Sequence, residues 1–358
     1  MNIDNLEQIQ HLDRGHALDS MQMLGKQCKQ AWEESHAVIF PPGYKDVTSI
    51  VLAGMGGSNY GARIVKSLYD KNISTHVPFE LTNDYALPGY VGENTLVILS
   101  SYSGSTEETL ACAKEAVKRN AKIMGITSGG ALGAFLTEGQ YSGYVFGPKY
   151  NPSGQPRIGV GYMVMGLVGM LSSLGVVPTT QQEVEEMILL LDQKESRLSP
   201  KAKAPSNPAK QMAKELLTTI PVFIVADVLE GAVHAIRNPF HETAKHFALY
   251  FSIPELNHHL LEGLTHPAIQ NLLTFVFVES TLYNTRNQQR LALTRQVVKK
   301  QGFAAQTITL EGKTGIAQTM ELIQFGNFVT LYLAFLHETD PSKIPWVDYF
   351  KDQLKKEG

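Results

Sequence analysis

The chain has 358 residues, enough for two domains of ordinary size, each with its own core. Hydrophobic residues make up 43% and charged residues 18%, with a formal net charge of −3. That balance supplies no basic stripe for a nucleic-acid backbone or an anionic membrane surface, so it argues against both as partners.

Residues 4–36 read as helical. A buried strand is then expected over 49–53, inside Val51-Leu-Ala-Gly-Met-Gly-Gly-Ser58, where an apolar run stops in a glycine loop. Helix 60–70, strand 77–81 and strand 95–100 follow. The last of these ends in Ser101-Tyr-Ser-Gly-Ser-Thr-Glu-Glu-Thr109, a second loop of Gly and hydroxyl residues that opens helix 107–119. Strand 122–127 and a helix from about 159 to 174 complete the first half. Strands alternating with helices of this length indicate a parallel sheet with helices on both faces, a Rossmann-like three-layer αβα arrangement.

After a helix over 180–196, the polar, proline-containing stretch 198–208 reads as a linker. Beyond it the order repeats: Val222–Ala226 matches the strand at 51–53, Thr274–Val278 matches 96–99, Phe303–Leu310 matches 121–127, and helix 316–337 matches 159–174. The domain division expected from this repeat is 1–178 and 179–358. The second copy lacks a glycine–hydroxyl loop after its strand 274–278, which assigns any phosphate to the first half.

A helix start offers free backbone N–H groups and the positive end of the helix dipole, a natural seat for a phosphate. Ser101, Ser103 and Thr106 around Gly104 add hydroxyls but no lysine, which suits a phosphomonoester better than a triphosphate. A serine-rich helix cap with a tight glycine turn is the plainer reading of the same residues. Gly54-Met-Gly-Gly-Ser58 does not have the Gly-x-Gly-x-x-Gly spacing of a dinucleotide site.

Other residues could carry chemistry. Arg157, just ahead of a helix, suits either a developing negative oxygen or a structural ion pair. Arg237-Asn-Pro-Phe-His-Glu-Thr-Ala-Lys-His246 and Pro254-Glu-Leu-Asn-His-His259 hold the densest titratable cluster. No histidine pair there has the i, i+4 spacing of zinc ligands, so no metal is expected. Glu242 fits a general base and His258 a proton shuttle, or both are ordinary structural polar groups. Cys28 and Cys112, in no metal-ligand spacing, read as small core or helix residues. Two cysteines and no signal-peptide pattern at Met1-Asn-Ile-Asp point to a reducing, cytoplasmic setting.

Taken together in order, Gly54–Ser58, Ser101–Thr109, Pro156-Arg157, His241–Lys245, Pro254–His258 and Asp340-Pro341 with Lys351 resemble the bifunctional phosphoglucose/phosphomannose isomerase family, built from two sugar-isomerase (SIS) domains. The likeness runs from about residue 49 to the C-terminus. It implies an aldose–ketose isomerase working through an enediolate, without metal or nicotinamide cofactor. It further implies that Ser101, Ser103 and Thr106 hold the sugar phosphate, with Ser58 and the Gly56 and Gly57 amides near the sugar. By the same likeness Arg157 stabilises the enediolate, Glu242 moves the proton between C1 and C2, and His258 opens the ring with help from Lys351. The family's site lies between domains at a homodimer interface, the histidine coming from the neighbouring subunit. His241 and Thr243 stand where the family usually has Asn, His259 where it has Asn, and Ser342-Lys343 where it has Thr-Pro. These departures flank the implied base and acid and leave the preferred sugar open. A SIS isomerase for another sugar phosphate and a non-catalytic sugar-phosphate sensor are the competing readings.

Overall fold

The structure is a computed structural model describing residues 1–70, 77–266, 268 and 270–357. The N-terminal stretch 4–36 is three helices, α1 (Leu6–Leu12), α2 (Ala17–Gln22) and α3 (Leu24–His36). The break between the first two has a local cause. The Asp13 carboxylate accepts hydrogen bonds from the amides of Ala17 and Leu18 at 2.9 and 2.8 Å, capping a new helix, and His16 adopts φ 56°.

The first sheet is formed by β1 (Ser49–Gly54), β2 (Phe79–Thr82), β3 (Thr95–Ser100), β4 (Lys122–Thr127) and β5 (Ser142–Val145). It is wholly parallel, in the order β2-β1-β3-β4-β5. Every residue of β1 and β3 is buried, as the unbroken apolar runs require when helices cover both faces. Between the strands run α4 (Tyr60–Tyr69), α5 (Glu107–Lys118) and α6 (Gly130–Glu138), followed by α7 (Val160–Ser173). The strand order reverses between β1 and β3, so the crossovers leaving these two strands diverge to opposite sides. That switch point opens a crevice at their C-terminal ends, where both glycine–hydroxyl loops lie.

The second sheet follows α8 (Gln181–Leu198) and α9 (Pro208–Leu216). It contains β6 (Ile220–Ala226), β7 (Leu249–Ile253), β8 (Leu273–Glu279) and β9 (Ala304–Thr309), parallel and in the order β7-β6-β8-β9. The helices are α10 (Glu230–Glu242), α11 (Thr285–Lys300), α12 (Gly315–Leu336) and α13 (Pro345–Glu357). The 198–208 stretch is tied down. Asn207 caps α9 and donates to the carbonyls of Leu198 and Ser199, while the buried Lys210 ammonium donates to Pro200, Ala202 and Asp4.

One apolar core runs from the first sheet through α3, α7, α4, α10 and α12 to the second. A smaller cluster fills the far face of the first sheet beneath α5 and α6. Among the described residues α12 alone is long and apolar enough to cross a membrane, and 89% of its apolar window is buried inside the protein. A helix apolar all round belongs in a core, and two of its buried polar members are paired: Gln318 with Ser280 and Gly312, Glu321 with Lys194. Cys28 and Cys112 are both buried, unpaired and helical.

Candidate active site

Both loops at the switch point are shaped by glycine. Gly56 has φ +50° and Gly104 φ +69°, and a Cβ on Gly104 would overlap the Gly129 carbonyl. The loops are stitched together through Ser58. Its Oγ accepts from the Tyr102 amide at 2.8 Å, and its carbonyl accepts from Ser100 Oγ at 2.6 Å.

In the second loop the hydroxyls pair with one another: Ser101 Oγ with Thr106 Oγ1 at 2.8 Å, and Ser103 Oγ with Ser105 Oγ at 3.0 Å. Thr106 is the N-cap of α5, yet its side chain does not cap the helix. The first turn of α5 thus keeps orphan amides beside two pairs of hydroxyls, and Glu107 and Glu108 are the carboxylates of that turn. An anion arriving there exchanges hydroxyl–hydroxyl contacts for stronger charge-assisted ones.

The first loop also touches the second half of the machinery. Gly57 packs on the backbone of Pro156 and Arg157, where a Cβ would sit 3.3 Å from both. Arg157 is only 2% exposed, and each of its donors is aimed at an acceptor. Nε donates to Thr243 Oγ1 at 3.0 Å, Nη1 to Gln155 Oε1 at 2.9 Å, and Nη2 to the carbonyls of Pro341 and Ser342 at 2.9 and 3.0 Å. The longest contact, 3.5 Å, runs from Nη1 to Glu242 Oε2. Burial lowers the Arg157 pKa, and Glu242 acts in the opposite sense. Glu242 ends α10 with its side chain 30% exposed, so its carboxylate lies between a buried cation and solvent.

A single chain therefore brings together Gly56, Gly57, Ser58, Arg157 and Glu242, with the Ser101, Ser103 and Thr106 loop beside them through Ser58. His258 and Lys351 make no hydrogen bond or ion pair with these residues. His258 is exposed on the short 3-10 turn after β7, and Lys351 is exposed on α13.

The unusual residues around Glu242 have structural duties. Thr243 receives Arg157. The His241 ring is bonded to the Ala248 backbone and stacks on Phe247 at 5.6 Å. Burial lowers the His241 pKa, favouring the neutral ring. Sequence reasoning missed Gln155, the 341–342 carbonyls and Tyr60, the first residue of α4. Tyr60 left a trace, an aromatic hydroxyl directly behind the Gly-Gly-Ser-Asn turn, and Pro341 and Ser342 stood in the Asp340-Pro341 motif without a role.

Fold and site define a two-sheet SIS-type protein, and the sequence matches two family models accordingly. Residues 44–131 match the SIS domain, and 205–354 match the bacterial phospho-glucose isomerase C-terminal SIS domain. A bifunctional phosphoglucose/phosphomannose isomerase of Caldicellulosiruptor bescii is 30% identical over 340 residues, covering 94% of this chain and 98% of the relative. One of the same name from Thermoplasma volcanium is 29% identical over 308 residues, covering 85% and 91%. A hypothetical protein of Thermus thermophilus shares the fold with a TM-score of 0.76 at 16% identity, covering 98% of this chain and 94% of that one. The chain belongs to the bifunctional phosphoglucose/phosphomannose isomerase family.

Proposed function

We propose that this chain interconverts glucose 6-phosphate, and also mannose 6-phosphate, with fructose 6-phosphate through an enediolate. The observation that carries the reading is the Glu242 carboxylate held against a buried Arg157, on the same crevice as a hydroxyl-lined helix start. The phosphate sits on Ser101, Ser103, Thr106 and the first amides of α5. The sugar chain then runs past Ser58, Gly56 and Gly57 towards Glu242.

Glu242 removes the proton from C2 of the aldose or C1 of the ketose and returns it to the neighbouring carbon. The negative charge that develops on the adjacent oxygen is met by Arg157. Its long Nη1 contact is the one most easily surrendered to substrate. Return of the proton to either face of C2 yields glucose or mannose phosphate.

Ring opening falls to His258, with Lys351 assisting. Both are exposed in the single chain, so we propose a homodimer in which His258 reaches the neighbouring site. Supporting it, Trp346, Tyr349, Phe350 and Leu354 leave α13 with a large exposed apolar surface, which a second copy would cover. Two domains meeting near residue 178 and a cytoplasmic setting, compatible with two unpaired buried cysteines, complete the proposal.

The test is isomerisation of fructose 6-phosphate in deuterated water, which should leave deuterium at C2 of the aldose. Glu242→Gln should keep sugar-phosphate binding and lose turnover by a factor on the order of 10²–10⁴. Binding without isomerisation or exchange in the wild type would identify a sensor instead. Turnover of a different sugar phosphate would reassign the substrate.

A further inference from the structure

Tyr60 is the first residue of α4, two residues beyond Ser58, and its side chain is completely buried. Its hydroxyl is buried too and has no hydrogen-bond partner of good geometry. Phenylalanine would fill the same space without that penalty, so a hydroxyl here needs a reason.

The surroundings suggest one. α10 lies directly on α4, because a Cβ on Gly231 would strike the Arg63 carbonyl and the Ile64 amide. The Tyr60 ring meets the His234 ring of α10 edge-on at 6.3 Å. Further along α10, Asn238 and Glu242 stand one turn apart on one helix face. Both act on the hydroxyl: Asn238 approaches it without completing a well-formed bond, and the Glu242 charge raises its pKa. Burial raises it further, so the phenol keeps its proton and can only donate to an anion.

We propose that Tyr60 is a positioning residue for Glu242, its hydroxyl donating to the carboxylate once substrate takes over the Arg157 Nη1 contact. The inference rests on Glu242 being the base. A carboxylate that exchanges a long contact with Arg157 for the substrate carbon needs a second anchor to stay in one rotamer. Tyr60 supplies it from the α4 side. A donated hydrogen bond also favours the ionised carboxylate, the form a base requires. Arg157, Lys245 and His241 are the other groups whose charge couples to Glu242, and Arg157 and Arg237 are the cations acting on Tyr60.

Tyr60→Phe tests this in the full-length protein, with fructose 6-phosphate as substrate. We expect kcat to fall roughly tenfold with KM within about twofold, and the acid limb of the kcat/KM profile to move to higher pH. Unfolding stability should stay level or rise, because the variant removes an unpartnered buried hydroxyl. In a Glu242→Gln background the same substitution should have little further effect on the residual rate, since it acts through the carboxylate. Wild-type kcat in Tyr60→Phe overturns the proposal. So does a tenfold loss that persists undiminished in the Glu242→Gln background, or a fall in stability, which would give the hydroxyl a purely structural task. A wild type without isomerase activity is a separate outcome: it removes the reading of Glu242 as base, and this inference with it.

Discussion

Arg157 Nε donates to Thr243 Oγ1 at 3.0 Å across 86 residues of sequence. This bond ties the approach to α7 in the first half to the end of α10 in the second. Because Glu242 immediately precedes Thr243, it also sets where the carboxylate stands. Nη2, bonded to the Pro341 and Ser342 carbonyls, adds the segment leading into α13 to the same anchor. One buried guanidinium thus organises three distant stretches of chain.

Replacing Arg157 with Lys should therefore cost stability as well as activity. A lysine has neither the planar fork nor the number of donors to serve Thr243, Gln155 and two carbonyls at once. Leaving buried acceptors unpaired costs about 1–3 kcal/mol for each group. We expect Arg157→Lys to lose about 2–4 kcal/mol on this basis, read as a lower urea midpoint at unchanged slope. A midpoint equal to that of the wild type would show that the anchor is dispensable.

The proposed phosphate seat makes a separate prediction. Ser103→Ala should weaken sugar-phosphate or inorganic-phosphate binding by about 1–3 kcal/mol, the range for a hydrogen bond to a charged group. Gly104→Ala should do more damage, since its φ of +69° and the Gly129 carbonyl leave no room for a methyl group. Calorimetric titration measures both, and wild-type affinity in Ser103→Ala counts directly against the site.

Assembly can be examined by complementation. Glu242→Gln and His258→Ala should each be inactive alone. Mixed under conditions that exchange subunits, they should regain activity, because one of the two sites in a heterodimer draws an intact Glu242 from one chain and an intact His258 from the other. An active monomer in sedimentation velocity would remove the shared-site arrangement.

Stability should fall on mild acidification. Burial lowers the pKa of His234 to about 3, and it lowers that of His246 as well. As pH drops below about 6.5, the unfolded chain takes up protons that the folded protein refuses, so stability is complete above that value and lost beneath it. Each such histidine contributes a slope of at most about 1.4 kcal/mol per pH unit. His234→Gln should flatten the stability curve between pH 6.5 and 5, above the range where carboxylates titrate. Urea midpoints at several pH values check this, and parallel curves for the two proteins would contradict it.

Much of this organisation is legible in the sequence because it is local. The apolar runs of β1 and β3 read as strands buried on both faces. The glycines and hydroxyls that follow read as turns entering helices, and the structure has them so. The sequence likewise carried the doubling of the fold, although the first half adds α6 and β5, which the second half does not repeat. Local pattern also misled at the N-terminus, where a helical period concealed the break made by the Asp13 carboxylate and His16.

What the sequence could not contain is the meeting of segments far apart in the chain. Arg157 finds Thr243 at a separation of 86 residues and Ser342 at 185, contacts that no periodicity encodes. The burial of the Tyr60 hydroxyl against α10 depends on the close approach allowed by Gly231, a property of two helices rather than of either. The exposure of His258 and Lys351 follows from where β7 ends and where α13 lies in space. Hydrophobic periodicity and turn chemistry act over a few residues and fix the elements. Partners for buried polar groups are set by how those elements pack, and that packing decided which side chains surround Glu242.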